Sequence, residues 1–239
     1  MSREVMVIVK VGTSGYSYFW NPDKKNPFKW YVSKGFKTVE INASFYSFPR
    51  RSWVKAWTTH SPREFDFSIK VHRSITHMSR LGPRSIDLWI KFRELFKPLE
   101  KKIVFWLFQF PEYFKPTHEN IFRIKSFLRE AESIGSIVME FRDPGWWKNR
   151  RYVEEAGAVF CSIDAPELPN DIISSNNIVY LRLHGRTEWY AYEYSYEELI
   201  DLAEKIRRID AEKKYIYFNN DHGMLENALT MKNLLEEKS

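Results

Sequence analysis

Eight short runs rich in β-forming residues alternate along this 239-residue chain with longer polar or amphipathic stretches, and this rhythm constrains the fold most. The runs are 5–11, 37–42, 65–72, 103–110, 137–142, 158–163, 178–184 and 215–219. Between them, Leu88, Phe92, Leu95, Phe96 and Leu99 fall at helical spacing, as do Ile121, Ile124, Phe127, Leu128 and Ala131. Leu199, Leu202, Ala203, Ile206 and Ile209 form a third stripe, and Leu225, Ala228, Met231 and Leu235 a fourth. Ser195 followed by Glu198 reads as a capping box. The helix after Asp164 is the weak one, in a short segment holding Pro166 and Pro169. Strands alternating with helices imply a parallel sheet with covered faces. Eight is the number that closes a (β/α)₈ barrel, and the length suits one such domain spanning 1–239. The strand count favours this TIM-barrel-like α/β fold over a doubly wound open sheet.

The composition narrows the function classes. One cysteine, Cys161, excludes an internal disulfide framework and a multi-cysteine zinc site. The longest unbroken apolar run, 103–108, is far short of a membrane span, so no membrane partner is expected. The first residues read directly into a strand rather than a signal peptide, which predicts a cytoplasmic location. Thirty-seven basic against 31 acidic residues give a formal charge of +6, spread along the chain, which mildly favours acidic partners.

The apolar strands stop in a repeated way. The second ends Glu40-Ile41-Asn42, the third Lys70-Val71-His72, the fifth Glu140-Phe141-Arg142 and the seventh Arg182-Leu183-His184. Side chains alternate between faces of a strand, so each polar pair shares one face. In a barrel that face is the upper interior. Gln109, Asp164 and Asn219 add a polar group at or just past three further strand ends. Ordinary charges meeting solvent would explain one such strand. Seven of eight at carboxyl ends predict a polar site where barrel enzymes place their chemistry.

These residues carry a resemblance. Gly12-Thr13-Ser14-Gly15-Tyr16-Ser17-Tyr18, Val39-Glu40-Ile41-Asn42-Ala43-Ser44-Phe45-Tyr46 and the Ile75-Thr76-His77 beyond Lys70 are similar to the YecE-like family, a domain of unknown function. So are Phe108-Gln109-Phe110-Pro111, Glu140-Phe141-Arg142 with Trp146, Arg182-Leu183-His184-Gly185-Arg186 and Phe218-Asn219-Asn220. The matches run in order from residue 11 to about 235. The resemblance implies a TIM-barrel-like fold and no established reaction. Tyr16 stands where the family often has Trp, and the segment between Asp164 and Ile178 is short, which puts a local lid in question.

The residue types at the mouth point to chemistry. Lys70, Arg73, Arg142, Arg182 and Arg186 favour an anion, because guanidinium forks match carboxylate and phosphate. The last two strands' loops, carrying His184, Arg186, Asn219 and Asn220, occupy the usual phosphate-binding place of barrels. Glu40, Glu140, Asp164 and His184 are the catalytic candidates, with Glu40 and Glu140 as acid–base groups. Asn42, Lys70, Arg73, Gln109, Arg142, Arg182, Arg186, Asn219 and Asn220 are the substrate-binding candidates. No metal-ligating spacing exists, and the cofactor is unknown. If a divalent ion binds, Glu40, Glu140, Asp164 and His184 are its ligands. Cys161, inside an apolar strand, reads as an inert core thiol. The expectation is an enzyme acting on a small anionic ligand or phosphodiester, with hydrolase, lyase and isomerase chemistry undistinguished. The alternative is a non-catalytic nucleic-acid-binding protein using the basic mouth and the aromatic run 189–194.

Overall fold

The computed structural model describes residues 7–236, so the first two positions of the run 5–11 lie outside the described residues. Among the described residues, nine parallel strands form two sheets. One has the order β1 (Ile8–Thr13), β9 (Lys213–Phe218), β8 (Ile178–Leu183), β7 (Ser162–Asp164). The other runs β2 (Thr38–Ile41), β3 (Asp66–Lys70), β4 (Ile103–Phe110), β5 (Ser136–Phe141), β6 (Val159–Phe160).

The two sheets make one ring. At one junction, β6 and β7 are a single run of chain interrupted at Cys161, whose N–H still donates to Met139 O at 2.9 Å. At the other, β1 meets β2 through one parallel bridge, Ser14 to Glu40. The Tyr31 hydroxyl strengthens this seam: it accepts from Thr13 N (3.0 Å) and donates to Thr38 O (2.9 Å), standing in for a ladder bond. A Cβ on Gly12 would lie 2.6 Å from Thr38 O, so the close approach of β1 and β2 requires glycine there. The result is an eight-stranded, barrel-like α/β fold.

Helices cover the outside: α1 (Pro27–Ser33), α2 (Ala43–Tyr46), α3 (Arg51–His60), α4 (Ser85–Leu95), α5 (His118–Glu130), α6 (Gly145–Asn149), α7 (Arg151–Glu155), α8 (Tyr196–Arg208) and α9 (Met224–Glu236). The periodic stripes lie on them as expected, α4 being continued by a 3₁₀ turn, Lys97–Lys102. The capping box forms, with Ser195 accepting from Glu198 N and Glu198 from Ser195 N. No helix follows β7. That segment returns along β6 and β7 and is tied by Ser175 Oγ to Phe160 N and by Ser162 Oγ to Ile173 N, both at 2.9 Å. Among the described residues, no helix is long and apolar enough to cross a membrane.

Strand parity sends one face outward and the other inward. Outward residues such as Ile69, Trp106, Phe141 and Leu183 are fully buried under the helices. The inward face is a polar column. At its base, Lys10 Nζ and Tyr215 OH both reach Asp66 Oδ2, at 2.6 and 2.5 Å. Above lie two hydroxyl pairs, Thr38 with Tyr217 (2.7 Å) and Ser68 with Tyr180 (2.6 Å). The top layer is the charged mouth.

Candidate active site

At the top of the column Arg182, with no solvent exposure, lies between two fully buried carboxylates. Its Nε donates to Glu40 Oε2 at 3.0 Å and its Nη2 to Glu40 Oε1 at 2.6 Å, a two-pronged pairing. Its Nη1 donates to Glu140 Oε2. Ser14 and Tyr180 each donate a further 2.7 Å bond to Glu40. Because the single phenolic proton of Tyr180 goes to Glu40, Ser68 is the donor in the Ser68–Tyr180 pair. Such saturation is what a buried ion pair needs to offset its desolvation.

Glu140 extends the network. Burial pushes its pKa up, but Arg142 and Arg182 outweigh that and hold it well below the ordinary carboxyl value. Arg142 Nη2 lies 2.7 Å from Glu140 Oε1, off the hydrogen-bond direction, so the contact is an ion pair rather than a hydrogen bond. The Arg142 guanidinium lies over the Trp189 ring, 4.1 Å from its centroid, and its Nε is buried without a hydrogen-bond partner. Burial, then Arg142 and Arg182, push the His184 pKa well below its ordinary value, so the ring is neutral. Asn219 Nδ2 lies 3.1 Å from His184 Nδ1, while His184 Nε2 lies 3.5 Å from Arg142 Nη2 and 3.8 Å from Glu140 Oε2.

Lys70 differs from the other buried cations. Among the described residues below 9 % exposure, Arg182 bridges two carboxylates, and Lys214 donates to Ile206 O (2.8 Å) and Arg207 O (3.1 Å). Lys70, 8 % exposed, has neither an ion pair nor a hydrogen bond from its amine, which lies 4.4 Å from the centre of the Phe45 ring. Burial, with Arg182 next, lowers its pKa from 10.5 to about 7; Glu140 and Glu40 resist that fall. A π-helical turn after β3, Ser74–Met78, places His77 edge-on to the same Phe45 ring at 4.9 Å. Burial and then Lys70 lower the His77 pKa to about 4.

The site opens into a cavity of about 870 Å³ beside Arg142, Gln109, Lys115, Glu167, Trp189 and Tyr190. Glu167 and Tyr190 adopt left-handed backbone conformations, with φ of 65° and 68°, a strained state for residues other than glycine. A smaller cleft of about 260 Å³ lies over β1 and β2, where Asn42 contributes a buried Oδ1 without a partner.

The structure thus brings Glu40, Glu140, Arg142, Arg182 and His184 into one connected network, with Asn219 behind the histidine and Lys70 in electrostatic reach. Other candidates go elsewhere. Arg186 is taken up by Asp164 (3.2 Å) and Glu198 (2.6 Å), bracing the loop after β8 against α8. Asp164 is thereby paired with Arg186, while Arg182 pairs with Glu40 and Glu140. Asn220 donates to Tyr192 O (2.7 Å) and Asn227 Oδ1 (2.8 Å), a packing role. Gln109 donates to Phe110 O at 3.1 Å and lines the large cavity, while Arg73 is exposed beyond β3. The alternative metal set is not assembled: among the described residues no three His, Cys, Asp or Glu side chains gather in a way that holds a metal ion, since Arg182 separates Glu40 from Glu140. Burial pushes the Cys161 thiol well up, as an inert core residue requires.

The aromatic run folds onto its own barrel. Trp189 covers Arg142, Tyr190 meets His184 edge-on at 5.3 Å, Tyr192 donates to Glu198 (2.6 Å), and Gly185 N donates to the Tyr194 hydroxyl (3.0 Å). Gly185 permits the turn: its φ is 119°, and a Cβ there would lie 2.4 Å from Tyr192 Cβ. Sequence reasoning missed Ser14, Ser68, Tyr180 and Tyr217. Their signal was parity, since Ser68, Tyr180 and Tyr217 each lie two residues before a predicted site residue.

Comparison with known proteins places this geometry in context. The chain is 25 % identical over 244 residues to UPF0759 protein YunF of Bacillus subtilis (strain 168), covering 85 % of each chain. Its fold matches the crystal structure of a DUF72 family protein from Thermotoga maritima with a TM-score of 0.86 and 28 % identity, over 96 % of this chain and 99 % of that one. A DUF72 family protein from Enterococcus faecalis gives 0.85 at 22 % identity, over 96 % of both chains. A methyltransferase from Methanosarcina mazei gives 0.56 at 9 % identity, over 99 % of this chain and 95 % of that one, a likeness of fold alone. The family profile described as "Protein of unknown function DUF72" matches residues 10–239, which takes in β2 to β9, most of β1 and the whole charged mouth, and the chain belongs to that family.

Proposed function

We propose that this protein is an enzyme acting on a small anionic substrate, a carboxylate or phosphate compound, at the carboxyl-end mouth of the barrel. Arg142 holds the anion, Gln109 assists from the neighbouring strand end, and the Lys70 amine is the reactive group. The observation that carries this reading is the contrast among the buried cations: Arg182 and Lys214 are saturated, while the Lys70 amine is unpaired at the end of β3. Burying an unpaired cation is destabilising, and natural chains retain such groups where they work.

The acid–base roles expected for Glu40 and Glu140 shift accordingly. Both carboxylates are engaged by Arg182, and Glu140 is ionised, so they position Arg182 and Arg142 and set the potential around Lys70. Arg186 is left out of the anion site because two carboxylates already neutralise it. The folding of the aromatic run onto Arg142 and Glu198 weighs against a nucleic-acid platform.

The test is calorimetric titration of wild type and Arg142→Met with phosphate, sulfate and lactate, beside a single-stranded oligonucleotide. The expected result is small-anion binding that weakens about tenfold in the variant, the worth of one charge-assisted contact. No small-anion binding, or tight oligonucleotide binding with a steep salt dependence and no small-anion site, overturns the reading.

A further inference from the structure

We infer that Lys70 acts covalently, forming an imine with the carbonyl carbon of an anionic aldehyde or ketone, so that the substrate class is the small oxo acids or their phosphorylated equivalents. The inference rests on the anion-binding reading above and names its substrate class.

Three features of the mouth support it. The amine has no hydrogen-bond acceptor to hold it as an ammonium: it lies over the Phe45 ring face, and the carboxylates Glu40 and Glu140 are turned to Arg182 and Arg142. An apolar wall with cationic neighbours is the environment that frees a lysine lone pair at neutral pH. Lys70 ends β3 and Arg142 directly follows β5, both at inward parity, so both groups belong to the mouth of the same barrel. The distinctive group is a nucleophilic amine.

The step balances without a further reagent. The Nζ lone pair attacks the carbonyl carbon, the carbon–oxygen π pair moves to oxygen, and a proton passes from nitrogen to that oxygen, giving a carbinolamine. The carbon–oxygen bond then breaks, the hydroxyl leaves as water with a second proton, and the carbon–nitrogen double bond forms. Carbonyl compound plus amine gives imine plus water, with no change in oxidation state.

The test is reductive trapping at pH 7 with borohydride and glyoxylate, the smallest anionic aldehyde, with formaldehyde as a neutral control. Intact mass should show a predominant adduct equal to glyoxylic acid less one oxygen atom, and peptide mapping should place it on Lys70. Its rate should exceed that of exposed lysines by more than about tenfold, because about half of the Lys70 amines are neutral at that pH against roughly one exposed amine in a thousand. Arg142→Met should slow glyoxylate trapping by a larger factor than formaldehyde trapping, which falls only as far as the Lys70 pKa rises without that guanidinium; Lys70→Arg, checked for fold by circular dichroism, should abolish the adduct. Labelling of Lys70 no faster than that of exposed lysines overturns the inference. If lactate and phosphate still bind in an Arg142-dependent way in that case, the imine fails alone and the anion-binding reading stands; if they do not bind, both fall.

Discussion

Replacing Lys70 by methionine should make the protein more stable, and by an amount that depends on pH. The amine pKa is about 7 in the folded chain against 10.5 as the ordinary value. Below pH 7 the amine is protonated in both states, and the folded state bears the full burial penalty. Between pH 7 and 10.5 the unfolded chain holds the proton and the folded chain has released it, so stability rises with pH through that window. At about 1.4 kcal/mol per pKa unit, the penalty is roughly 5 kcal/mol at pH 6 and about 2 kcal/mol at pH 9. Methionine has similar length and keeps the apolar contact with Phe45, while the cation–π contribution it removes is on the order of 1 kcal/mol. The Lys70→Met variant should therefore exceed wild type by about 3–5 kcal/mol at pH 6, and the gap should narrow by roughly 2.5 kcal/mol at pH 9. Urea unfolding followed by tryptophan fluorescence at the two pH values reads both quantities. A variant no more stable than wild type at pH 6, or a gap that does not change with pH, would refute the reasoning. Greater stability with lost function is the signature of a residue kept for its work.

Arg182→Met should do the opposite, leaving Glu40 and Glu140 buried and unpaired; a loss of about 3–5 kcal/mol, seen as a melting temperature roughly 10 °C lower, is expected. A fall within about 2 °C would contradict the central place given to this residue. Arg186→Ala should leave calorimetric anion affinity within about twofold of wild type, because its two ion pairs brace a loop; a loss near tenfold would return it to the binding site. Glu140→Gln removes a carboxylate that holds the Lys70 pKa up, so the amine should titrate below pH 7 in that variant. Reductive methylation rates against pH measure the change, and an upward displacement would refute the assignment.

Much of the fold was legible because the two periods, 2 and 3.6, are both strong in this chain. The runs 103–110 and 178–184 are mostly apolar up to the polar residues near their carboxyl ends and have turn signals beyond them, which leaves little choice but buried parallel strands. The sixth strand was read as one run and is broken at Cys161, where the ring passes from one sheet to the other; no residue type announces such a break. At the site, parity alone was enough to put Glu40, Glu140 and Arg182 on one interior face. It could not tell which charges would satisfy one another, because pairing depends on distances across the barrel between residues up to 142 positions apart. For this reason Arg182 emerged as the bridge rather than as an anion holder, Arg186 as a loop strut, and Lys70 as the unpaired group. The hydroxyl column of Ser68, Tyr180 and Tyr217 escaped notice for a different reason. Tyrosine and serine within a strand read as ordinary β-formers, and only the inward register of β3, β8 and β9 sets them in hydroxyl pairs, of which Tyr180 passes its proton to Glu40 in the layer above.

The measurement that bears most directly on the account is a direct titration of Lys70. Protein labelled with carbon-13 at the lysine Cε, with the Lys70 resonance assigned by comparison with Lys70→Arg, is followed by NMR from pH 5 to pH 10, alone and with saturating phosphate. The account predicts a midpoint near 7 in the free protein. Phosphate on Arg142 should move it upward, since an added negative charge at the mouth favours the protonated amine. A midpoint near the ordinary 10.5 that phosphate leaves in place would contradict both the unpaired amine and the anion site built beside it.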